Sequence, residues 1–295
     1  MKKLLLLASM SAALFTSCTK DDTAPMASST SSKVIPGITA VSPIPSSFLK
    51  KILVEEYIGG SYGATPDASN DLRLIQKANP DRVYSVGYHV DDYMETSLSA
   101  YMIQSLTSST PPIPCGSVDR KTINGNIFTD SKSFGAVVMS TITKPSDAGL
   151  AIESTMNGLN ATIQVHAGFL KTPANTMRLH VFIVEDKVAS RHQLFEQVNN
   201  FNNTVGSPFF NAGNPIRGYQ HNNVLRRALS APLGEVIPPN LTTAGSVFTK
   251  TYGFDTPKKI IGSSKYVIIA FMTDDLTKQI VNVQQAEVGT IKDWN

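Results

Sequence analysis

The stretch Ile52-Leu53-Val54-Glu55-Glu56-Tyr57-Ile58-Gly59-Gly60-Ser61-Tyr62-Gly63-Ala64-Thr65-Pro66-Asp67-Ala68-Ser69 decides how this chain is read. It opens as a β-branched apolar strand, passes into a Gly-rich loop, and at Pro66 takes on a helical pattern. Tyr62 and Thr65 stand three apart around Gly63 and Ala64, which places both on the first helical turn. Cysteines at that spacing and place would form a Cys-x-x-Cys pair whose thiols the helix N-terminus activates. The two side chains here are hydroxyls of far higher pKa, unable to cycle electrons through a disulfide. Glu55 and Glu56 are neighbours on the strand, so their side chains point to opposite faces and do not converge as an acid–base pair. Each is expected to be solvated or paired.

Working outward, residues 67–77 carry Leu72 and Ile75 on one helical face and end near Asn79-Pro80, where a helix does not continue. Residues 83–89, VYSVGYH, alternate as a second strand, residues 94–106 read as a second amphipathic helix, and Pro111-Pro112-Ile113-Pro114 turns the chain into a third strand. Strand, helix, strand, helix, proline turn, strand is a thioredoxin-like order.

With these residues in view, the chain resembles the outer membrane protein 28-related lipoprotein family. Members typically carry Val-Leu-x-Glu-Glu-Phe-Thr-Gly running into Cys-Gly-x-Cys-Pro, and later Pro-x-Gly-x-Val-x-Arg. The matching segments here are Ile52-Leu53-Val54-Glu55-Glu56-Tyr57-Ile58-Gly59 and Pro114-Cys115-Gly116-Ser117-Val118-Asp119-Arg120. The departure falls on Tyr62-Gly63-Ala64-Thr65-Pro66, a degenerate redox loop. The resemblance further implies that Pro114, in the turn Ile113-Pro114-Cys115, is a cis-proline facing that loop. Cys115 would then lie close to Tyr62. It reads either as a lone reactive thiol or as a small buried residue.

The N-terminus is laid out for export. Lys2 and Lys3 precede an apolar run from Leu4 to Phe15, too short to span a bilayer, and Thr16-Ser17 lead into Cys18. Residues 1–17 are read as a lipoprotein signal peptide, with Cys18 acylated, palmitate included, and the protein held at a membrane by several chains. Lys20-Asp21-Asp22 resembles a Gram-negative surface-export signal; a solvated charge cluster is the alternative. Residues 18–47, rich in Ser, Thr and Pro, are expected to form a flexible stalk.

Beyond the stalk, a boundary falls at Lys144-Pro145-Ser146-Asp147, giving a thioredoxin-like domain over 48–145 and a β-sandwich domain over 146–295. Seven strand-like runs, at 150–154, 161–167, 178–184, 224–229, 247–252, 266–273 and 280–288, point to an immunoglobulin-like sandwich. Residues 193–201 read as a short helical insertion and 202–218 as a long loop. The fold class is therefore α/β plus β. Tyr219-Gln220-His221-Asn222-Asn223, with Arg226, is the densest polar group in an expected strand, suited either to lining a ligand cleft or to the strand's solvated face.

Composition narrows the function. The formal net charge of +3 falls to +1 once Lys2 and Lys3 leave, and no basic stripe interleaved with aromatics is present, so nucleic acid is not an expected partner. With 2 Cys in the chain and Cys18 assigned to lipid, Cys115 has no internal partner. No zinc spacing, Walker loop, dinucleotide Gly pattern or Gly-x-Ser-x-Gly elbow occurs, so no metal, cofactor or catalytic residue is assigned. The first expectation is a non-enzymatic outer-membrane lipoprotein, lipid-anchored and surface-exposed, that binds a protein or glycan. A thiol–disulfide oxidoreductase relative using Cys115, and a purely structural envelope lipoprotein, remain as alternatives.

Overall fold

The structure, a computed structural model, describes residues 41–107, 111–189, 192–257 and 264–295. The first half runs β1 (Ile52–Ile58), α1 (Thr65–Ala78), β2 (Val83–His89), α2 (Ser97–Leu106), β3 (Cys115–Val118) and α3 (Ser131–Ile142). The second half is almost all strand: β4 (Ala148–Asn157), β5 (Asn160–Phe169), β6 (Met177–Asp186), β7 (Val224–Ala228), β8 (Glu235–Val236), β9 (Val247–Asp255), β10 (Lys265–Asp274), β11 (Ile280–Glu287) and β12 (Ile291–Lys292).

These strands make two sheets. The larger has the order β11-β10-β6-β7-β2-β1-β3, with β8 pairing off β6; the smaller has the order β12-β4-β5-β9. Alternate residues of β6 and β10 explain how the layers stack. Leu179, Val181, Ile183, Ile268, Ala270 and Met272 share a core with Leu150, Ile152, Ile163 and Val165 of the smaller sheet. Their neighbours Phe182, Val184, Ile269 and Phe271 enter a second core with Leu53, Tyr57, Val86, Tyr88 and Met102. Both faces of β6 and β10 are thus covered, which is why they read as near-continuous apolar runs. β1 is covered likewise: Ile52 and Val54 pack under α1 and α3 with Leu72, Phe134 and Val138.

The two halves share one sheet, whereas the sequence separates them at Lys144-Pro145-Ser146-Asp147. β2 and β7 pair in parallel at Gly87 and Val224, and Gly87 N–H donates to Asn223 O at 2.8 Å. Gly87 permits this close approach, because a Cβ there would stand 3.4 Å from the carbonyl oxygens of both Asn222 and Asn223.

All seven strand-like runs of the second half correspond to strands, while residues 193–201 contain only a 3-10 turn at Gln193–Phe195. α3 is an element the sequence pattern missed, for Gly135, Val137 and Val138 lower its helical propensity. Asp130 caps it, its side chain accepting from Ser133 N–H. The C-terminal tail docks back: Trp294 is buried against Phe48, ring centroids 5.7 Å apart, and its Nε1 donates to Ser42 O at 2.7 Å. Residues 41–47 are accordingly tied to the folded body, although the sequence reading assigns them to the stalk. Among the described residues no helix is long and apolar enough to cross a membrane.

Candidate functional site

The loop between β1 and α1 is closed by its own hydroxyl. Thr65 Oγ1 donates to Gly59 O at 3.0 Å and accepts from Gly59 N–H at 3.3 Å, so the residue in the second cysteine position ties the strand end to the helix start. Tyr62 turns outward, its hydroxyl donating to Asp91 Oδ2 at 2.5 Å, and Pro66 sits in the first helical turn. A segment from the second half roofs this loop. Gln197, fully buried, donates through Nε2 to Gly60 O at 3.2 Å and Tyr62 O at 3.0 Å. Val198 N–H and Asn200 N–H donate to Gly60 O and Gly63 O at 2.8 and 3.0 Å. Gly63 has no room for a side chain, because a Cβ there would meet the Asn200 amide. Ala64 is half-buried beside it.

The Ile113–Pro114 peptide is cis, and Cys115 follows as the first residue of β3, paired with Tyr57 of β1. Cys115 lies in the core with Tyr57, Tyr88 and Phe128, and burial pushes its thiol up to about 12. At neutral pH it is a thiol with almost no thiolate, in an apolar site that does not activate it. Cys18, Lys20, Asp21 and Asp22 lie outside the described residues.

The two glutamates of β1 do point to opposite faces, with opposite outcomes. Burial opposes ionisation of Glu55, but Arg120, with Tyr88 and Ser117, holds its carboxyl below the usual range. Arg120 donates to both Glu55 oxygens at 2.7 Å, and Glu55 also accepts from the Tyr88 hydroxyl at 2.8 Å and from Ser117 Oγ at 3.1 Å. The Arg120 guanidinium also lies 5.4 Å from the centroid of the Phe271 ring, linking this pair to β10. Glu56 has no ion-pair partner among the described residues, where the sequence expectation is a side chain solvated or paired. It is buried, its Oε1 has no hydrogen-bond partner, and burial, with Asp71 nearby, pushes its carboxyl up to about 8.

Glu56 opens onto a cavity of about 440 Å³ between α1, β2 and the loop leading into β7. Tyr219, Gln220, His221, Asn222 and Asn223 all line it, as part of a loop and not a strand's solvated face. Ser85 Oγ stands at the wall, accepting from Gln76 Nε2 at 3.1 Å and Asn223 Nδ2 at 2.8 Å. Behind the loop, burial pushes His221 down to about 4, so it is neutral at physiological pH, and its Nε2 lies 3.1 Å from Phe195 O. His89 Nδ1 bonds Asp92 Oδ2 at 2.6 Å, and the same carboxylate oxygen accepts from Gly60 N–H at 2.7 Å. The His89 and His221 rings lie edge to face with centroids 5.2 Å apart, which links the β7 loop to the β1–α1 loop. Among the described residues no group of three His, Cys, Asp or Glu is placed to hold a metal ion.

The family described as outer membrane protein Omp28 matches residues 105–292, more than half of the chain. The chain belongs to the Omp28 family. The matched span includes the β7 loop that lines the cavity; the β1–α1 junction precedes it. Among solved structures, HBP35 of Porphyromonas gingivalis aligns with a TM-score of 0.61 at 16% identity, over 82% of this chain and 76% of that chain. At that identity the likeness shows a shared mixed α/β fold with two sheets and few helices. A domain of the outer membrane lipoprotein Omp28 from Porphyromonas gingivalis aligns with a TM-score of 0.31 at 14% identity, over 51% of this chain and 100% of that chain. Nothing among curated protein sequences matches the chain.

Proposed function

We propose that this Omp28-family chain is a non-enzymatic outer-membrane lipoprotein, lipid-anchored through Cys18 and exposed at the cell surface, whose cavity beside Glu56 is a binding site for a small polar ligand. One observation carries the reading: the buried carboxyl of Glu56, one oxygen of which has no partner, lines a 440 Å³ cavity together with hydroxyl, amide, charged and apolar side chains. A buried polar atom left unpaired costs free energy that a bound partner recovers, and this volume falls in the ordinary range of small-molecule pockets. The first half is read as a redox-inactive thioredoxin-like unit, supported by the order β1-α1-β2-α2-β3-α3 and by the hydroxyls at Tyr62 and Thr65. The second half is read as an immunoglobulin-like sandwich, supported by β4-β5-β9 facing β11-β10-β6. Disulfide exchange is left without a suitable group, since Cys115 is buried and the loop that would carry the thiols is roofed by Gln197.

The test is a titration of the full-length protein in detergent with amines, amino acids and monosaccharides, read by amide chemical shifts. At least one compound is expected to shift Ser85, Asn222 and Asn223 saturably. If every compound leaves those three resonances in place, the cavity is not a ligand site of this kind.

A further inference from the structure

The smaller sheet ends in an open strand. β9 pairs with β5 in one unbroken register, and no strand among the described residues pairs with its other side. Phe169 N–H donates to Ser246 O at 3.1 Å and Thr256 N–H donates to Leu159 O at 2.8 Å, which fixes a bonded pair at each end of the ladder. Bonded pairs alternate along an antiparallel ladder, so Phe248, Lys250, Tyr252 and Phe254 spend their backbone groups on β5. Val247, Thr249, Thr251, Gly253 and Asp255 turn theirs outward, and all five are exposed. Nothing among the described residues bonds the backbone N–H or C=O of Thr249, Thr251 or Gly253. The other edges are short or occupied. β8 and β12 have two residues each, and β3 has four, of which Gly116 is bridged to Thr129. On β11, Lys50 Nζ donates to Ile280 O and Val281 O at 3.3 and 2.8 Å, and the Val283 and Gln285 N–H groups meet Asn282 Oδ1 and Gln284 Oε1. β9 has nine residues, no proline and no bulge, and its one outward charge, Asp255, stands at the very end. It lacks the devices that keep a sheet edge from recruiting another strand.

We infer that β9 is a self-association edge, pairing antiparallel with β9 of a second copy of this chain across a two-fold axis at Thr251. The strand's own sequence selects that occupant. Centred on Thr251, the register overlaps the whole of Val247–Asp255. It sets Thr249 against Gly253 of the second copy, and a Cβ on Gly253 would meet nothing within 4 Å, so the facing side chain has room. On the core side it sets half-buried Phe248 against Phe254 of the second copy, an aromatic cross-strand pair made twice by the symmetry. Lys250 comes opposite Tyr252 of the second copy. Its ammonium already lies 5.6 Å from the centroid of its own Tyr252 ring and is neutralised by Glu235. No two like charges stand directly opposite. Centred one residue earlier, the register would set Lys250 against Lys250; one residue later, it would leave Val247 and Phe248 without partners. The bonded pairs at Thr249, Thr251 and Gly253 each exchange two N–H···O bonds, joining two four-stranded sheets into one. The two-fold uses up both open edges, so association closes at two copies.

Sedimentation of the full-length protein in detergent, at micromolar concentration, is expected to show a dimer. Thr251→Pro removes an N–H that the folded chain leaves open, and should give a monomer in which the β5–β9 amides stay protected from exchange. Thr251→Lys sets like charges face to face on the axis and should separate the copies without altering the backbone. Thr251→Cys tests the register. Bonded residues on the axis have Cα atoms about 5.5 Å apart, within disulfide reach. Oxidation with diamide should therefore link roughly tenfold more dimer than in Thr249→Cys, whose introduced thiols stand about 14 Å apart along the strands. A wild-type monomer would overturn the inference, as would a dimer that both Thr251→Pro and Thr251→Lys leave intact. Equal linking of Thr249→Cys and Thr251→Cys would overturn the pairing at Thr251. Slow amide exchange at Thr249, Thr251 and Gly253 in a monomer would also overturn it, since another segment or a different partner would then hold the edge.

Discussion

Two adjacent glutamates on one strand show how far a single residue's surroundings decide its chemistry. Glu55 meets a guanidinium in bidentate geometry and is ionised; Glu56, one position on, faces α1 with an oxygen unpaired and is held neutral at pH 7. The alternation of strand side chains was legible in the sequence. The partners were not, because Arg120 reaches Glu55 from 65 residues away and the β7 loop closes beside Glu56 from more than 150. Stability against pH separates the two. Glu56 has a folded value raised above its ordinary 4.5 to about 8, so its contribution is fully present below 4.5 and is lost as pH rises through 8. Glu56→Gln should remove that loss, flattening the stability curve between pH 5 and 9 and raising stability by several kcal/mol at the alkaline end; denaturant midpoints across that range check it. A variant that keeps the wild-type slope would show that another group causes it. Glu55 has a lowered value, so its contribution is present at neutral pH and is lost on acidification. Arg120→Met should cost about 3–5 kcal/mol by leaving a buried carboxylate unpaired, and adding Glu55→Gln should recover most of it. Equal destabilisation in the single and double variants would show that the guanidinium acts through packing alone.

At the scale of elements, the roof over the β1–α1 loop matters most. A Gly-rich strand-to-helix junction was readable from Ile58-Gly59-Gly60 and Pro66, and so was the absence of thiols. That residues 197–200 lie over it was not readable, because their stretch, 193–201, reads as a short helical insertion and a covering segment held by backbone bonds leaves no periodicity of its own. Gln197 is the clamp, with one amide nitrogen shared among carbonyls of Gly60, Tyr62 and Val198. Gln197→Ala should cost about 1–3 kcal/mol and speed amide exchange at Tyr62 and Gly63 without changing exchange in β10. Unaltered exchange at those two residues would mean that the neighbouring backbone bonds alone hold the roof. The missed helix α3 teaches the complementary lesson. Its sequence is a poor helix former, and its burial of Phe134 and Val138 under β1 outweighs that propensity.

For the whole molecule, the strand-rich second half was legible run by run, since alternation and turn residues mark half-buried strands locally. The continuity of its sheet with the first half was not, because it runs through one parallel pairing, Gly87 with Val224, 137 residues apart in sequence. Nor was the return of Trp294 onto Phe48, which joins the last residues to the first described ones. That closure leaves the preceding chain, with Cys18, as the route to the membrane in the proposed arrangement. Cys18→Ala should move the protein from the detergent phase to the aqueous phase in a Triton X-114 partition, and persistence in detergent would contradict the anchor. The central claim, a cavity built round an acid that the fold leaves unpartnered, is tested most directly by titrating Glu56 itself. Carboxyl-¹³C glutamate labelling of the ligand-free protein, with Glu56→Gln to assign the resonance, should give a midpoint near 8. A midpoint at the ordinary 4.5 would mean that water or another group already meets the Glu56 carboxylate, and the account of the cavity would be wrong.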